Sequence, residues 1–486
     1  MNTISIAWIV LPFVAGFLIF LLPKLDRAIA MLAALGSAGY AVQILTTRWR
    51  SLSPGESSIE LLLLDNFGVT LVIDSLSGYF ILTNALVTAA VILYCWQSNK
   101  TAFFYGQLII LHGSLNAAFA CTDFISLYVA LEVSGIAAAL LIAYPRTDRS
   151  IWVALRYLLV SNVAMLFYLV GAVLVYKAHH SFTFAGLRGA PPEALALIFM
   201  GLLTKGGVFV SGLWLPMTHS ESETPVSAML SGIVVKAGVY PLVRCALILD
   251  EVDPIIRVFG VGTAVLGVSY AIFEQDTKRM LASSTVSQLG FLLAAPEVSG
   301  FYALTHGLVK SVLFMLAGAL PSRNFKELQQ QPIDRTLWIF LAIAGFSISG
   351  FPLLSGFGAK VLTMQNLLPW QEIAMNVVAV GTAISFAKFI FLPHQPQVNT
   401  KPLKPGFWLA IGLLIGGLVV ANIAYFEAYD LKNTIKAIAI IAGGWLAYLA
   451  IFKRTALKIP RMFEQFDDLI GVMTLVSILL FWATFV

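Results

Sequence analysis

The sequence predicts an all-α polytopic membrane protein with about 14 transmembrane helices, and at most 16. Hydrophobic residues make up 59% of the 486 and charged residues 11%. The mean hydropathy is +0.87, whereas about a quarter of a soluble domain is charged. A transmembrane helix needs about 20 mostly apolar residues. Sixteen windows meet this requirement, some of them as half-spans: residues 4–23, 27–45, 71–95, 102–119, 122–144, 152–176, 195–217, 225–248, 254–274, 280–297, 299–320, 336–353, 372–392, 406–424, 433–452 and 468–485.

Basic residues in alternate connections predict how the chain is oriented in a cell membrane. Residues 249–254 hold three acidic side chains, and Lys and Arg favour the cytoplasmic side. Both termini are therefore predicted on the non-cytoplasmic side, although Arg48 and Arg50 run against the pattern. The net charge of +5 follows from these connections and indicates no nucleic-acid partner. The basic pairs that set the orientation are Lys24 and Arg27, Arg146 and Arg149, Lys278 and Arg279, Arg323 and Lys326, and Lys453 and Arg454.

The sequence contains no pattern typical of a cofactor or metal site. Cys95, Cys121 and Cys245 are scattered and lack the CxxC spacing of zinc or iron–sulfur ligands. The six histidines form no metal-ligand pattern, and no glycine-rich phosphate loop follows a strand. We therefore expect no cofactor, no metal and no enzymatic domain. The energy for any work done by the protein must come from an ion gradient or from a partner subunit.

Four ionisable side chains stand alone in long apolar windows: Glu132, Lys205, Lys236 and Lys388. A charge at the centre of a bilayer costs about 2.5–3.5 kcal/mol on insertion scales. There are plainer explanations for some of them. Glu132 could form a structural ion pair, and the long side chains of Lys205 and Lys388 could place their ammonium groups at the membrane–water interface. Four such costs in one chain favour an ion or proton path instead.

A histidine and a lysine add to this set. His306 and Lys310 are four residues apart and share one face of a helix. The reference pKa of histidine, about 6.5, suits proton transfer, and a lysine shielded from water can exchange its proton near neutral pH. An ion pair about 4 Å long is worth about 4 kcal/mol at an effective dielectric constant near 20. Making and breaking a Glu–Lys pair would therefore switch a lysine between holding and releasing its proton.

Several stretches together resemble one superfamily. They are KGGVFVSGLWLPMTHSESETPVSAMLSGIVVKAGVYPLVR at 205–244, DTKRMLASSTVSQLG at 276–290, HGLVKSVLF at 306–314, GFPLLSGFGAK at 350–360 and DSLS at 74–77. This set resembles the proton-conducting antiporter-like subunits, which comprise Mrp-type Na⁺/H⁺ antiporter subunits and the large membrane-arm subunits of respiratory complex I. The resemblance runs from about residue 70 to 392.

The resemblance implies a core of two inverted five-helix repeats with broken helices. It divides the chain into N-terminal helices (1–100), a first repeat (101–250), a second repeat (251–395) and C-terminal helices (396–486). One departure is the run GGVFVSG after Lys205, where relatives usually carry proline, so that the helix break is expected to depend on glycines.

The resemblance also implies roles for the buried charges. Glu132 and Lys205 match the ion pair beside the broken helix, Lys236 matches the central lysine, and His306 belongs to the bridging region. Lys388 matches the terminal site of the second half, as the counterpart of Lys205, and is the predicted exit toward a neighbouring subunit.

The length of the chain and the lysine at position 388 resemble the MrpD-type subunit. The expected function is that of a membrane subunit in a multisubunit antiporter that exchanges protons for a monovalent cation, Na⁺ above all, with other membrane subunits as partners. Three alternatives stay open: a proton-pumping subunit of a complex I-like NAD(P)H or ferredoxin:quinone oxidoreductase, a non-conducting scaffold, and a self-sufficient carrier.

Overall fold

The computed structural model describes residues 2–50, 59–62, 69–396, 403–453 and 465–485. Arg454, one of the residues that predict the orientation, lies outside these ranges. The helices are α1 (Asn2–Leu21), α2 (Asp26–Arg50), α3 (Ser75–Cys95), α4 (Ala102–Ala118), α5 (Phe124–Ile142), α6 (Asp148–His179), α7 (Pro192–Lys205), α8 (Leu215–Glu221), α9 (Thr224–Met229), α10 (Lys236–Ile248), α11 (Asp253–Phe273), α12 (Thr277–Ala294), α13 (Ser299–Ala317), α14 (Phe325–Leu328), α15 (Arg335–Ser349), α16 (Ser355–Gln365), α17 (Glu372–Ile390), α18 (Pro405–Ala424), α19 (Leu431–Ala447) and α20 (Phe466–Phe485).

Strands are few and short in the described ranges. β1 (Ile59–Leu62) and β2 (Thr70–Ile73) form an antiparallel hairpin between α2 and α3. β3 (Ile333–Asp334) and β4 (His394–Gln395) form a parallel two-residue pair that joins the start of α15 to the segment after α17. The predicted all-α class is therefore confirmed.

Aspartates in the connections set where several helices begin. The side chains of Asp74, Asp123 and Asp276 accept hydrogen bonds from the backbone amides three residues later, at the starts of α3, α5 and α12. Such N-caps satisfy amides that have no partner within the helix. They therefore fix the residues at which α3, α5 and α12 begin.

The helix count agrees with the predicted number of spans. Thirteen helical stretches of the described residues are long and apolar enough to cross a membrane. Together with α4, α12 and the interrupted pair α15–α16, which are shorter or more polar, the count is sixteen. The most central helices are α12 and α13, all of whose residues are buried.

Two successive series of five crossings form the core, as the inverted-repeat fold requires. The first contains α4, α5, α6, α7–α8 and α9–α10, and the second contains α11, α12, α13, α15–α16 and α17. In each series the fourth crossing is broken. The limits predicted for the four parts of the chain fall between helices and stay a prediction as functional units.

The order of these crossings changes one predicted correspondence. Lys205 ends α7, in the fourth crossing of the first series, whereas Lys388 lies on α17, the fifth crossing of the second. The fourth crossing of the second series carries Lys360, on α16. By their positions in the two series, Lys205 corresponds to Lys360 and Lys236 corresponds to Lys388. This order differs from the expected correspondence of Lys205 with Lys388.

A partly buried ion pair attaches α10 to the start of α3. The Arg244 guanidinium donates to both carboxylate oxygens of Asp74, at 2.5 and 2.9 Å, and also to the Tyr240 hydroxyl. The Tyr240 hydroxyl in turn lies 2.9 Å from Ser77 Oγ. The network therefore fixes the helix that begins with Lys236.

Replacing Arg244 with glutamine is expected to destabilise the protein by about 3 kcal/mol, because loss of one partner leaves the Asp74 carboxylate without its countercharge. The measurement is the apparent melting temperature of the purified complex in mild detergent. The double variant Asp74→Asn/Arg244→Gln should recover part of the loss. An Arg244→Gln protein that melts like the wild type would show that the pair contributes little.

Candidate proton path

The six residues predicted to carry protons lie on five different crossings of the core. The lysines are almost fully buried, with 0% exposure for Lys236 and Lys310, 5% for Lys388 and 6% for Lys205. Within the described ranges, no group of three or more His, Cys, Asp or Glu side chains is placed to hold a metal ion. Lysine, histidine and glutamate side chains can each take up and release a proton, so these positions offer acid–base chemistry.

Lys205 faces α5 and α6 from the end of α7. Its ammonium donates to Ser161 Oγ at 2.5 Å. It also lies against Gly135 of α5, where an added Cβ would be 2.8 Å from Lys205 Nζ. Gly135 is one helical turn beyond Glu132, so the lysine and the carboxylate occupy the same side of α5.

The direct Glu132–Lys205 ion pair implied by the resemblance is not formed here. The Ser161 hydroxyl takes the lysine's hydrogen bond, and no contact within 4 Å joins the two charges among the ion pairs of the described residues. Glu132 Oε1 is buried, with no hydrogen-bond partner in the described part of the chain. The geometry therefore corresponds to an open pair, in which the ammonium has an alternative partner close to the carboxylate.

Replacing Gly135 with valine is expected to disable this switch, because its Cβ would collide with the Lys205 ammonium. The side chain of Lys205 would have to leave the Ser161 site, and we expect proton transport to fall at least tenfold while the complex still assembles. Proton uptake into proteoliposomes measures the effect. Gly36→Val is a matched control, since an added Cβ at Gly36 meets no atom within 4 Å. Unchanged uptake by Gly135→Val would contradict the assignment.

Glycines make the break after Lys205, as predicted. Gly207 has a φ of +67°, a conformation that glycine adopts without strain. A 3₁₀ turn (Phe209–Trp214) follows and leads into α8. Trp214 Nε1 donates across the break to the Thr204 carbonyl at 2.9 Å. Non-helical backbone at membrane depth is tolerated where it is buried in protein, and here it is held by such contacts.

The helix of Lys236 packs directly on this break. An added Cβ at Gly238 would collide with the backbone nitrogen of Gly206. The backbone just after α7 therefore touches α10, one residue from Lys205 and two residues from Lys236. This contact brings the first two lysines of the path to adjoining positions in the fold.

Lys236 follows a π-helical turn (Leu230–Val234) that joins α9 to α10. Its ammonium donates to the Gly232 carbonyl, and to the Ser231 carbonyl at 3.3 Å. A π-turn widens the helix and is frequent at functional sites. The lysine is therefore held by neutral carbonyl dipoles and not by a carboxylate, an arrangement that permits release of its proton.

The central helix α13 meets the same carbonyl. An added Cβ at Gly307 would lie 2.8 Å from the Gly232 oxygen, and His306 is the adjacent residue. One turn further on, Lys310 donates to Ser284 Oγ and, at 2.9 Å, to the Leu281 carbonyl. The predicted grouping of His306 and Lys310 on one face of α13 is therefore present.

A small cavity adjoins His306. Its volume is about 20 Å³, and Gln288, Tyr302, Ser347 and Lys360 also line it. In the described part of the chain neither ring nitrogen of His306 nor Ser347 Oγ has a hydrogen-bond partner. A space of this size holds one water, which needs such polar partners. The cavity therefore offers a water-mediated route from His306 to Lys360.

Lys360 is a further candidate site residue that the sequence did not predict. It is 8% exposed, donates to the Ser349 carbonyl at 3.2 Å and lies 5.3 Å from the centre of the Phe291 ring. It lines the cavity of His306 and also a second cavity of about 270 Å³. The sequence did contain a signal that could have identified Lys360, because it is the last residue of GFPLLSGFGAK, one of the motifs that carry the family resemblance.

Lys388 occupies a different environment. Its ammonium donates to the carbonyls of Ala271 and Glu274, at 3.0 and 2.7 Å, at the end of α11. A lysine in this position satisfies terminal carbonyls and interacts favourably with the helix dipole. Lys388 lines neither of the two cavities described above. Its predicted role as an exit stays a prediction.

His219, to which the sequence analysis gave no role, is also in the core. It is fully buried on α8, with ring centres 6.3 Å from Trp214 and 6.2 Å from Phe314. Phe314 lies one turn beyond Lys310 on α13. His219 thus stands between the break after Lys205 and the central helix.

Buried lysines at broken or widened helices, in two series of five crossings, define an antiporter-like membrane subunit. Residues 121–385 match the family model described as NADH:quinone oxidoreductase/Mrp antiporter, TM, and the chain belongs to this family. The NADH-quinone oxidoreductase N subunit of Desulforudis audaxviator is 30% identical over an alignment of 427 positions that covers 76% of this chain and 84% of the relative. The Na(+)/H(+) antiporter D subunit of Alkalihalophilus pseudofirmus is 26% identical over an alignment of 447 positions that covers 82% of this chain and 89% of the relative.

Solved structures share the fold. A chain of the membrane-bound sulfane sulfur reductase, an archaeal respiratory membrane complex, superposes with a TM-score of 0.76 at 21% identity, over 92% of this chain and 99% of that one. A chain of the Mrp complex from Dietzia sp. gives a TM-score of 0.75 at 19% identity, over 94% and 99%. The fold is therefore that of subunits found in multisubunit membrane complexes.

Proposed function

We propose that this chain is the proton-conducting subunit of a multisubunit Mrp-like cation/proton antiporter in the cell membrane. The observation that carries the proposal is a series of ionisable side chains on adjoining crossings, all buried except the half-buried Glu132. The series is Glu132, Lys205, Lys236, His306 with Lys310, and Lys360. Intramembrane ionisable residues generally mark ion or proton routes.

The Glu132–Lys205 pair acts as the gate. When the Lys205 ammonium leaves Ser161 for Glu132, an interaction of about 4 kcal/mol at about 4 Å holds its proton. When the pair opens, as in the geometry described above, that stabilisation is lost. The proton then passes to Lys236, whose carbonyl partners carry no countercharge.

The second half of the path runs through α13. Lys236 and α13 meet at Gly232 and Gly307, so that Lys310 and His306 are the next acceptors. Water in the cavity beside His306 connects this helix to Lys360. We place the outlet at Lys360 because it alone among these lysines lines both cavities.

The orientation and the exchanged ion are parts of the same proposal. With both termini on the non-cytoplasmic side, as the basic residues of the sequence predict, the second cavity near Asp430 opens to that side. The exchanged cation is Na⁺, as in the name of the A. pseudofirmus relative. Protons would enter through Glu132 and leave through the outlet, coupled to Na⁺ movement in a partner subunit.

A second candidate is a proton-pumping subunit of a quinone oxidoreductase complex. It is favoured by the 30% identity to the NADH-quinone oxidoreductase relative. Both candidates use the same residues and the same path. They differ only in whether an ion gradient or a redox reaction moves the protons.

Purification of the intact complex in mild detergent, with identification of every subunit by mass spectrometry, separates the two candidates. We expect small membrane subunits and no redox subunit. Proteoliposomes of that complex should then show Na⁺-dependent proton movement. Co-purification of iron–sulfur or quinone-reducing subunits would overturn the antiporter assignment in favour of the oxidoreductase.

A further inference from the structure

Apart from the outlet residue Lys360, the second cavity is lined by side chains that the proposed proton path does not use. It lies between α16, α17 and the start of α19 and has a volume of about 270 Å³. Lys360 forms its inner wall, and Lys432, Asn433 and Lys436 of α19 form its outer wall together with Asp430. Lys432 and Lys436 are exposed, whereas Lys360 is nine-tenths buried.

The charges of this cavity are unbalanced. Three lysines and one carboxylate line the cavity, and the carboxylate already accepts hydrogen bonds from other groups. Asp430 caps α19 by accepting hydrogen bonds from the Asn433 backbone amide at 2.5 Å and from its side-chain amide at 2.9 Å. Among the ion pairs of the described residues, none involves Lys432 or Lys436. The site therefore has unpaired ammonium donors and attracts an anion.

Apart from Ser349 and Gln365, the rest of the lining is apolar or glycine. Its large apolar side chains are Phe357, Val361 and Met364 of α16 and Ile440 of α19. α19 packs on α17 and presents exposed Ile435, Ile438 and Leu446 on its outer side. A polar, positively charged mouth joined to an apolar groove between helices matches a molecule with an anionic head and a hydrocarbon tail.

We propose that this cavity binds one anionic phospholipid, with its phosphate at Lys432 and Lys436 and its acyl chain along α16. The headgroup then lies at the mouth of the cavity whose inner wall is Lys360. The negative charge at the mouth stabilises the protonated form of Lys360 and so regulates the outlet. This regulatory consequence rests on the proposed function, whereas the lipid site itself does not.

Native mass spectrometry of the purified complex tests the site. Complexes that carry the wild-type chain or the Lys432→Gln/Lys436→Gln chain are exchanged into detergent with phosphatidylglycerol or with phosphatidylcholine. Each basic residue near an anionic lipid surface contributes about 1 kcal/mol, so the double variant should retain phosphatidylglycerol about 30-fold more weakly. Retention of phosphatidylcholine should not change.

Controls keep the result specific. Lys453→Gln removes an exposed charge at the other end of the helical stretch that begins with α19, and this variant should bind phosphatidylglycerol like the wild type. The variant Lys432→Arg/Lys436→Arg keeps both charges and should also retain phosphatidylglycerol. Equal retention by the wild type and the glutamine variant would overturn the proposal. So would occupancy by millimolar inorganic phosphate without preference for phosphatidylglycerol, which would make the ligand a free anion. Because the readout is binding, failure of the proposed transport function would leave this result unaffected.

Discussion

Replacement of Lys236 by alanine is expected to lower proton transport by about 100-fold or more while the complex assembles normally. Positioned acid–base groups typically contribute factors of 10²–10⁴ to proton transfer. Lys236 lies between two backbone contacts, one with the break after Lys205 through Gly238 and one with helix α13 through Gly232. The measurement is proton uptake into proteoliposomes at equal complex content. Lys236→Arg should also lose transport, since an arginine keeps its proton.

Two comparisons make this test decisive. Lys326→Ala, a change at an exposed lysine on the short helix α14, should leave uptake unchanged. Glu132→Ala should lose uptake like Lys236→Ala, because both act in the same path. If Glu132→Ala and Lys236→Ala complexes assemble and transport like the wild type, the chain is a scaffold for neighbouring subunits and the proposed path is wrong.

The part of this site that the sequence predicted depends on local signals. A lone charge within about 20 apolar residues is visible without any tertiary information, and this identified Glu132, Lys205, Lys236 and the pair His306 and Lys310. Helical spacing placed the last two on one face. The fold class followed from hydropathy, whereas the broken helices followed from the family resemblance together with the glycines after Lys205.

The part that the sequence did not predict depends on packing between distant segments. Ser161, which takes the Lys205 hydrogen bond, is 44 residues away from it. Lys360 follows a 15-residue helix and a break. In the sequence, the apolar stretch therefore ends before Lys360, and the residues around Lys360 resemble a connection between helices. Its burial arises from Phe291 of α12 and Ser349 of α15, neither of which hydropathy can place beside it.

A matched pair of substitutions decides where protons leave the chain. Methionine is uncharged and close to lysine in length, so Lys360→Met and Lys388→Met remove one buried ammonium each with little change in packing. We expect Lys360→Met to lower proton uptake by about 100-fold, because it removes the one lysine that connects the His306 cavity to the larger cavity. We expect Lys388→Met to lower uptake less than tenfold and to act mainly on stability, since it leaves the carbonyls of Ala271 and Glu274 without their donor.

Uptake and melting temperature, measured on the same preparations, separate these effects. A Lys388→Met complex that melts earlier but still transports would assign Lys388 to the end of α11 and the outlet to Lys360. Lys360→Arg retains the charge and not the exchangeable proton, so it should transport as poorly as Lys360→Met. If Lys388→Met abolishes uptake and Lys360→Met does not, protons leave at Lys388 toward a neighbouring subunit, as the family resemblance implied, and the cavity beside Lys360 has another purpose.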